Sequence, residues 1–345
     1  MTIKKIAELA GVSTATVSYV INNSKNVSPE KRKRVLDVIE QSGYQPNQVA
    51  KSLRVKKTNN IGVLVEDIRG YPTPDIINGI SEYAEQNGYN ILLNDLRMLE
   101  SLFNQYDQIT QQKDKINKAM SLLIFGAKVE AVIYVGMFDR DITGIINKIN
   151  KPLIIAYSTS TDPTTCSVTY DNEDISADTI HYLQDMGHSH IAVITGLAHT
   201  NPAKLRLRGI QRAFREVGLV LDNAMVKNGD WEYASGYSCM AELLEQKPSP
   251  TALFAMNDLM AIGAMDAISD AGLRVPYDIS IVGFDNREIA SLVRPKLTTI
   301  DIDLKGIGLA AAKMTLRKIH GNVDIDERNI ILPSKFVLRE TVVRI

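Results

Sequence analysis

The sequence predicts a small all-α domain followed by two doubly wound, parallel-sheet α/β lobes, and three observations carry that expectation. Short helical patterns fill the first 57 residues. From residue 61 onward, β-branched runs alternate with helical stretches, the pattern of parallel sheets covered by helices. Charge divides at the same place: 11 Lys and Arg stand against 4 Asp and Glu through residue 57, a net of +7, and 28 against 36 in the remainder, a net of −8. A basic module joined to an acidic body suggests that one end meets a polyanion. With 345 residues, the chain is long for a single core.

The first helical pattern starts at Thr2, a candidate N-cap, and places Ile3, Ile6, Leu9 and Ala10 on one face before Gly11 breaks it. In the second, Ser13 caps the free amides around Thr16, and Val17, Val20 and Ile21 point to a core; Asn22 and Asn23 end it. The third opens with "SPEK", Ser28 as cap, Pro29 at the first helical position and Glu30 near the positive end of the dipole. It closes at Gly43, with Val35, Leu36, Val38 and Ile39 as its apolar stripe. Two short helices joined by the tight "AGVS" turn have the spacing of a helix-turn-helix, whose second helix enters the DNA major groove. With its valines inward, that helix offers Thr14, Ala15, Ser18 and Tyr19: hydroxyls for base edges or phosphates, and small groups that permit close approach. A three-helix interaction module is the alternative, and the +7 charge argues against it.

The segment "YQPNQVAKSLRVKKTNN" is basic through Lys51, Arg54, Lys56 and Lys57, with a short helical stretch from Gln48 to Arg54 that is too short and polar to stand alone. It reads either as a plain linker with one stray Leu or as a segment that orders on DNA, Leu53 wedging between base steps in the minor groove. The expected boundaries are 1–46 for the helical domain, 47–60 for a hinge helix and linker, and 61–345 for the lobes.

In the body, "IGVLV", "YNILLN", "VEAVIYVG" and "PLIIAY" form one set of strand-like runs, and "IAVITG", "MVKNG", "TALFAMN" and "ISIVGFD" a second. Helical segments such as Ile76 to Gln86, Ile175 to Met186 and Lys204 to Val217 follow them. Two such lobes imply a ligand crevice where strand C-terminal ends face each other. Asp67, Asp171, Asp258 and Asp285 lie at strand ends. Without a nucleophile or metal beside them, they suit hydrogen bonding to a polyol.

No GxSxG, phosphate-binding loop or strand-following GxGxxG is present, and the five His, including the His188/His190 pair, have no acidic partner at ligand spacing. The chain is therefore not expected to be an enzyme or to need a cofactor or metal. Cys166 and Cys239 stand alone and read as reduced thiols. "MTIKKIAELAG" lacks the apolar core of a secretory signal, and no apolar run approaches the ~18 residues of a membrane span, so a cytoplasmic location is expected.

The segments "IKKIAELAGVSTATVSYVINN", "VSPEKRKRVLDVIEQSGYQPNQVAKSLR" and "NNIGVLVEDI" closely resemble the lactose/galactose repressor family of bacterial transcription regulators. "RLRGIQRAFRE", "NGDWEYASGY", "TALFAMNDLMAIGAMDAISDAGLRVPYDISIVGFDN" and "PKLTTIDID" match its effector domain, which resembles periplasmic sugar-binding proteins. The resemblance covers nearly the whole chain. It implies a DNA-facing set of Ser13, Thr14, Ala15, Thr16, Ser18 and Tyr19, joined by Asn47, Lys51, Leu53 and Arg54 of the hinge. Many members carry Arg or His where Tyr19 stands. The implied effector site has Arg206 gripping the ligand, Trp231 stacking on it, Asn257 as a polar contact and Asp285 as an acceptor, with Tyr157 and Tyr170 in weaker positions. Core packing for Trp231 and a solvated helix start for Arg206 are the alternatives.

Where most members have an "NPFF"-like segment, "GYPTPD" puts Tyr71, Pro72 and Thr73 on the pocket wall, and Leu99 to Lys115 looks like a surface insertion. No leucine-heptad tail of the kind that tetramerises some members follows "FVLRETVVRI", which implies a homodimer on palindromic operator DNA. The implied function is a DNA-binding repressor controlled by a small molecule, a sugar or glycoside. The alternative is a cytoplasmic sugar-binding protein or sugar-acting enzyme with a fused basic domain.

Overall fold

The computed structural model describes residues 1–21, 27–43, 58–102, 106–321 and 328–345. The chain forms two compact units, Met1–Thr58 and Asn59–Ile345.

The first unit contains α1 (Ile3–Ala10), α2 (Thr14–Ile21) and α3 (Pro29–Ser42). Thr2 caps α1 by accepting the Lys5 N–H at 3.4 Å, and Gly11 closes it at φ +62°, a conformation that glycine adopts without Cβ strain. The Ser13 hydroxyl accepts the Thr16 N–H at 3.1 Å, so the expected cap of α2 is present. Ser28 stands at the cap position of α3 but makes no side-chain bond there. Pro29 and Glu30 are what the helix start uses instead. Ile6, Ala7, Ala10, Val17, Val20 and Val35 form the core. Leu9 and Leu36, expected in the apolar stripes, are 54% and 48% exposed. Ala7 takes the interior position on α1, which meets both other helices, and a core this small admits only a narrow stripe from each.

The second unit runs β1 (Asn60–Val65), α4 (Thr73–Gln86), β2 (Asn90–Asp95), α5 (Leu99–Leu102), a 3-10 segment at Tyr106–Gln112, α6 (Lys113–Ser121), β3 (Ala131–Val135), β4 (Leu153–Ala156) and β5 (Cys166–Tyr170). The chain then crosses into α7 (Glu173–Asp185), β6 (Ile191–Thr195), α8 (Asn201–Glu216), β7 (Val226–Asn228), α9 (Tyr233–Leu244), β8 (Ala252–Ala255), α10 (Asp258–Asp270), β9 (Ser280–Val282), α11 (Glu288–Leu292) and β10 (Thr299–Asp301). It returns for α12 (Leu304–Ile319) and β11 (Asn329–Leu332), and ends with β12 (Lys335–Val337) antiparallel to β10.

Two parallel sheets result, β11-β5-β4-β3-β1-β2 and β7-β6-β8-β9. The first gains β5 and β11 beyond the four runs read from sequence. Strands β3, β5 and β6 are buried along their whole length, as expected where helices cover both faces. Helices α4 and α12 pack together through Gly79 and Gly308. A Cβ on either would lie 2.1 Å from a backbone carbonyl of the other helix, so only glycine permits this approach. The Leu99–Lys115 stretch is not merely a surface insertion. Leu102 and Ile109 are buried with Met98, Ile116 and Met120, because its apolar residues cover one face of the first sheet.

The chain passes between the lobes at residues 170–173, 301–304 and 332–335. The first and third passages are tied: the Asp171 N–H donates to the Leu332 carbonyl at 2.9 Å, and the Ser334 hydroxyl donates to the Asp171 carbonyl at 2.9 Å.

Candidate functional sites: a two-faced helix and an interlobe cleft

In the first unit, α2 is divided as its sequence suggested. Val17 and Val20 are buried, whereas Thr14, Ala15 and Tyr19 are exposed and Thr16 and Ser18 half-buried. Tyr19 is 51% exposed, a large aromatic with no core to serve. Ser13 is exposed but committed locally, its hydroxyl lying 2.9 Å from that of Thr16 as well as accepting the Thr16 amide. Asn47, Lys51, Leu53 and Arg54 lie outside the described residues, as do Asn22 and Asn23.

In the second unit, the segments that follow the C-terminal ends of strands in both sheets enclose a cavity of about 210 Å³. This is the position that parallel-sheet topology favours for ligands. Seven of the eight expected effector residues line it: Tyr71, Tyr157, Tyr170, Arg206, Trp231, Asn257 and Asp285. Thr73 does not. It is fully buried at the start of α4, where its N–H donates to the Gly70 carbonyl, so it turns inward while Tyr71 and Pro72 form the wall. Of the four strand-end carboxylates expected to meet a ligand, only Asp285 reaches the cavity. Asp67 binds Arg69 and the Leu99 N–H, Asp171 accepts the Asp174 and Ile175 N–H groups at the head of α7, and Asp258 holds Thr299 and the Arg287 N–H.

Arg206 organises the floor. It is 2% exposed, and its Nε donates to Asn172 Oδ1 at 2.8 Å, Nη1 to the Met256 carbonyl and Nη2 to the Tyr170 hydroxyl at 3.2 Å. Its guanidinium lies 3.4 Å from the Phe284 ring centroid and 5.7 Å from that of Trp231, and 4.0 Å from Asp285. The Asp285 carboxylate also faces Arg287 at 3.5 Å. Burial pushes its pKa up, against the pull of both arginines. Tyr157 and Tyr170 stack with centroids 5.1 Å apart. The Tyr71 hydroxyl donates to the Asp285 carbonyl at 2.6 Å, and its ring lies under the Arg287 guanidinium.

Asn257 also positions its neighbours. Its Oδ1 caps α10 by accepting the Met260 N–H, and its Nδ2 donates to the Trp231 carbonyl at 2.7 Å. That bond holds Trp231 at φ +77°. Tyr157 at +62° and Asp285 at +107° are likewise in backbone conformations that L-residues rarely adopt. Such conformations cost of order 1–3 kcal/mol each and persist where the surroundings over-determine them, typically at ligand clamps.

Sequence reading missed Asp139, Arg140, Asn201 and Arg287, all of which line the cavity. Asp139 and Arg140 lie in the segment that leaves β3, so the strand-end rule applied to "VGMFDR" would have found them. Arg140 is anchored by the buried Glu66, which also accepts from the Tyr134 hydroxyl and the Met137 N–H.

Residues 2–47 match the bacterial regulatory proteins of the lacI family, and residues 180–342 a periplasmic binding protein-like domain. The catabolite control protein A of Priestia megaterium is 34% identical over 344 residues, covering 99% of both chains. The chain belongs to the lacI family of bacterial regulatory proteins. Within that family, the transcriptional repressor PurR of Pasteurella multocida (strain Pm70) is 32% identical across 99% of this chain and 98% of its own. The Lac repressor dimer, solved on operator with the anti-inducer ONPF, superposes with a TM-score of 0.79 at 28% identity over 99% of each chain. The transcriptional regulator CelR, solved with cellobiose, gives 0.66 at 25% over 99% of each.

Proposed function

We propose that this chain is a homodimeric repressor that binds palindromic operator DNA through α2 and its hinge segment, with an affinity set by a sugar held between the lobes. The observation that carries the DNA half is the division of α2. Val17 and Val20 hold it to the small core, and Thr14, Ala15 and Tyr19 stand exposed on a unit of net charge +7. Small and hydroxyl-bearing residues at the head of a helix suit the major groove, Lys51 and Arg54 suit phosphates, and Leu53 suits a minor-groove wedge.

The cleft supports a sugar through Trp231, Tyr71, Tyr157 and Tyr170 as aromatic surfaces beside Asp139 and Asp285. Aromatic rings cover the apolar face of a pyranose, and charged groups bond its hydroxyls. A second copy would suit the exposed apolar residues Ile289 and Leu292 on α11 and Leu273 and Tyr277 in the stretch that follows α10. Operator binding places the protein with the DNA in the cytoplasm, acting as a regulator and not an enzyme.

In this scheme, ligand favours one relative angle of the two lobes, and that angle sets the spacing of the paired hinge segments. Couplings of this kind amount to about 1–3 kcal/mol. The decisive experiment is selection from a random duplex pool with the full chain, followed by titration of the winner against salt. A palindromic consensus is expected, with affinity falling steeply as salt rises. Recovery of no consensus, or equal binding to all duplexes at about 0.15 M salt, would overturn the proposal.

A further inference from the structure

The charged groups around the cleft do not balance in the same way. Arg69 is paired with Asp67 at 3.1 Å, Arg140 with Glu66, and Arg287 with Asp285, while Arg206 is spent on Asn172, Tyr170, the Met256 carbonyl and Asp285. Each arginine on the wall thus already faces a carboxylate. Asp139 is the converse. It lines the cavity, is 4% exposed, and among the described residues its oxygens accept only from two neutral amides, Asn172 Nδ2 at 3.0 Å and Asn201 Nδ2 at 3.3 Å. No Lys or Arg among the described residues lies within ion-pair distance of it, whereas Asp285 has two. A carboxylate offers about four acceptor positions, so two remain.

We infer that Asp139 is the acceptor for a hydroxyl or amino donor on the effector, and that the cleft selects a neutral polyhydroxylated molecule over its phosphate ester. The inference rests on the reading of the cleft as a sugar site and names the feature of the sugar that is recognised. A hydroxyl donating to a buried carboxylate forms a charge-assisted bond, about twice as strong as a neutral one. A phosphate there would meet the Asp139 charge at close range, and Arg206, whose charge acts on Asp139, has its N–H groups already committed to Asn172, Tyr170 and the Met256 carbonyl.

The ionisation of Asp139 supports the assignment. Burial pushes its pKa up to about 6, with the Asn201 and Asn172 bonds and the charge of Arg206 pulling the other way. The groups facing it are Asn172 at the head of α7, Asn201 and Arg206 on α8, and the Tyr170 hydroxyl at the end of β5. Donor binding favours the ionised form, so affinity is full above pH 6 and falls as pH drops below it.

The test measures binding of D-glucose, D-galactose, D-ribose, cellobiose and D-glucose 6-phosphate to the full chain and to its Asp139→Asn and Asp139→Leu variants. A neutral sugar is expected to bind at least about tenfold more tightly than the phosphate ester, and both variants are expected to lose at least about tenfold at pH 7.5. Wild-type affinity should fall toward about tenfold per pH unit below 6, and the Asn variant should not follow. Asn keeps the shape and an acceptor for one of the two amides, while its own Nδ2 faces the other, so the melting temperature of each variant is measured beside its affinity to separate lost recognition from lost folding. A neutral sugar that binds the Asn variant as tightly as wild type overturns the role of Asp139 while leaving the sugar reading intact. Preference for the phosphate ester overturns the proposed charge selection. Absence of binding by every neutral sugar removes both.

Discussion

Gly196→Ala places a single methyl group against the ring of Trp231. A Cβ at position 196 would lie 2.0 Å from Trp231 Cζ2 and 2.1 Å from Cε2, whereas ordinary contact begins at 3.4 Å, so the ring must withdraw by about 1.4 Å. Gly196 is not among the residues with positive φ, and its backbone accepts alanine; the whole effect is steric. Trp231 cannot retreat freely, because Asn257 holds its carbonyl at 2.7 Å and its backbone is already in the left-handed region. Overpacking of this kind costs about 1–3 kcal/mol. In a unit of this size that lowers the melting temperature by about 2–4 °C per kcal/mol, and any part expressed on the cavity weakens ligand binding by about tenfold per 1.4 kcal/mol. Trp231 is the only tryptophan in the chain, so its emission maximum and acrylamide quenching report the ring directly. An unchanged spectrum together with an unchanged melting temperature would refute the account of how Gly196 seats the cavity wall.

Two other outcomes follow from the same geometry. Tyr19→Ala should leave stability within about 0.5 kcal/mol, since the ring is half-exposed, while costing about 1–3 kcal/mol of operator binding at one base position per half-site. A competition series against single-base operator variants checks this, and a loss spread evenly over all sequences would deny Tyr19 a reading role. Asp258 is fully buried and its pKa is pushed up to about 7 by desolvation and by the neighbouring Asp285 charge, against Thr299 and Arg287, so the folded state holds its proton more tightly than the unfolded chain, whose value is near 3.8. Its contribution to stability is therefore full below about pH 4 and is lost as pH rises through about 7, with a slope of up to about 1.4 kcal/mol per unit. Guanidinium midpoints between pH 5 and 8 should drift downward in the wild type and less so in Asp258→Asn; parallel profiles would contradict the assignment.

Local signals carried most of the first unit. The Ser13 cap, the Gly11 stop and the inward valines of α2 depend on a few neighbouring residues, which the sequence displays directly. Burial of individual leucines was less legible: Leu9 and Leu36 fit helical periodicity, yet three short helices enclose too little space to use them. In the larger unit, the strand-end positions of Tyr157 and Asp285 were visible because each closes an apolar run, whereas Trp231, after the polar "KNGD", was reached only through the family resemblance. What each side chain does there was not visible. Asn257 lines the cavity as expected but also holds Trp231 through its amide, and Thr73 looks like pocket wall until α4 turns it inward. Asp139 lies just past β3, where the strand-end rule could have found it, but its two amide partners come from distant parts of the chain and show only in space. Strand β11 escaped because its partner β5 lies some 160 residues earlier in the chain.

That long return has a consequence for synthesis. The first lobe is discontinuous, with five strands before residue 171 and its sixth strand and α12 after residue 303, whereas the four-stranded sheet of the second lobe lies wholly between residues 191 and 282. On the ribosome, the later-starting lobe can assemble its sheet first, while the earlier one waits with the face of α4 that receives α12 uncovered. A chain stalled before α12 would therefore expose the lobe that begins at Asn59, whereas loss of only the last residues would uncover the second lobe, where β12 pairs with β10 and the Ile345 N–H donates to the Met186 carbonyl.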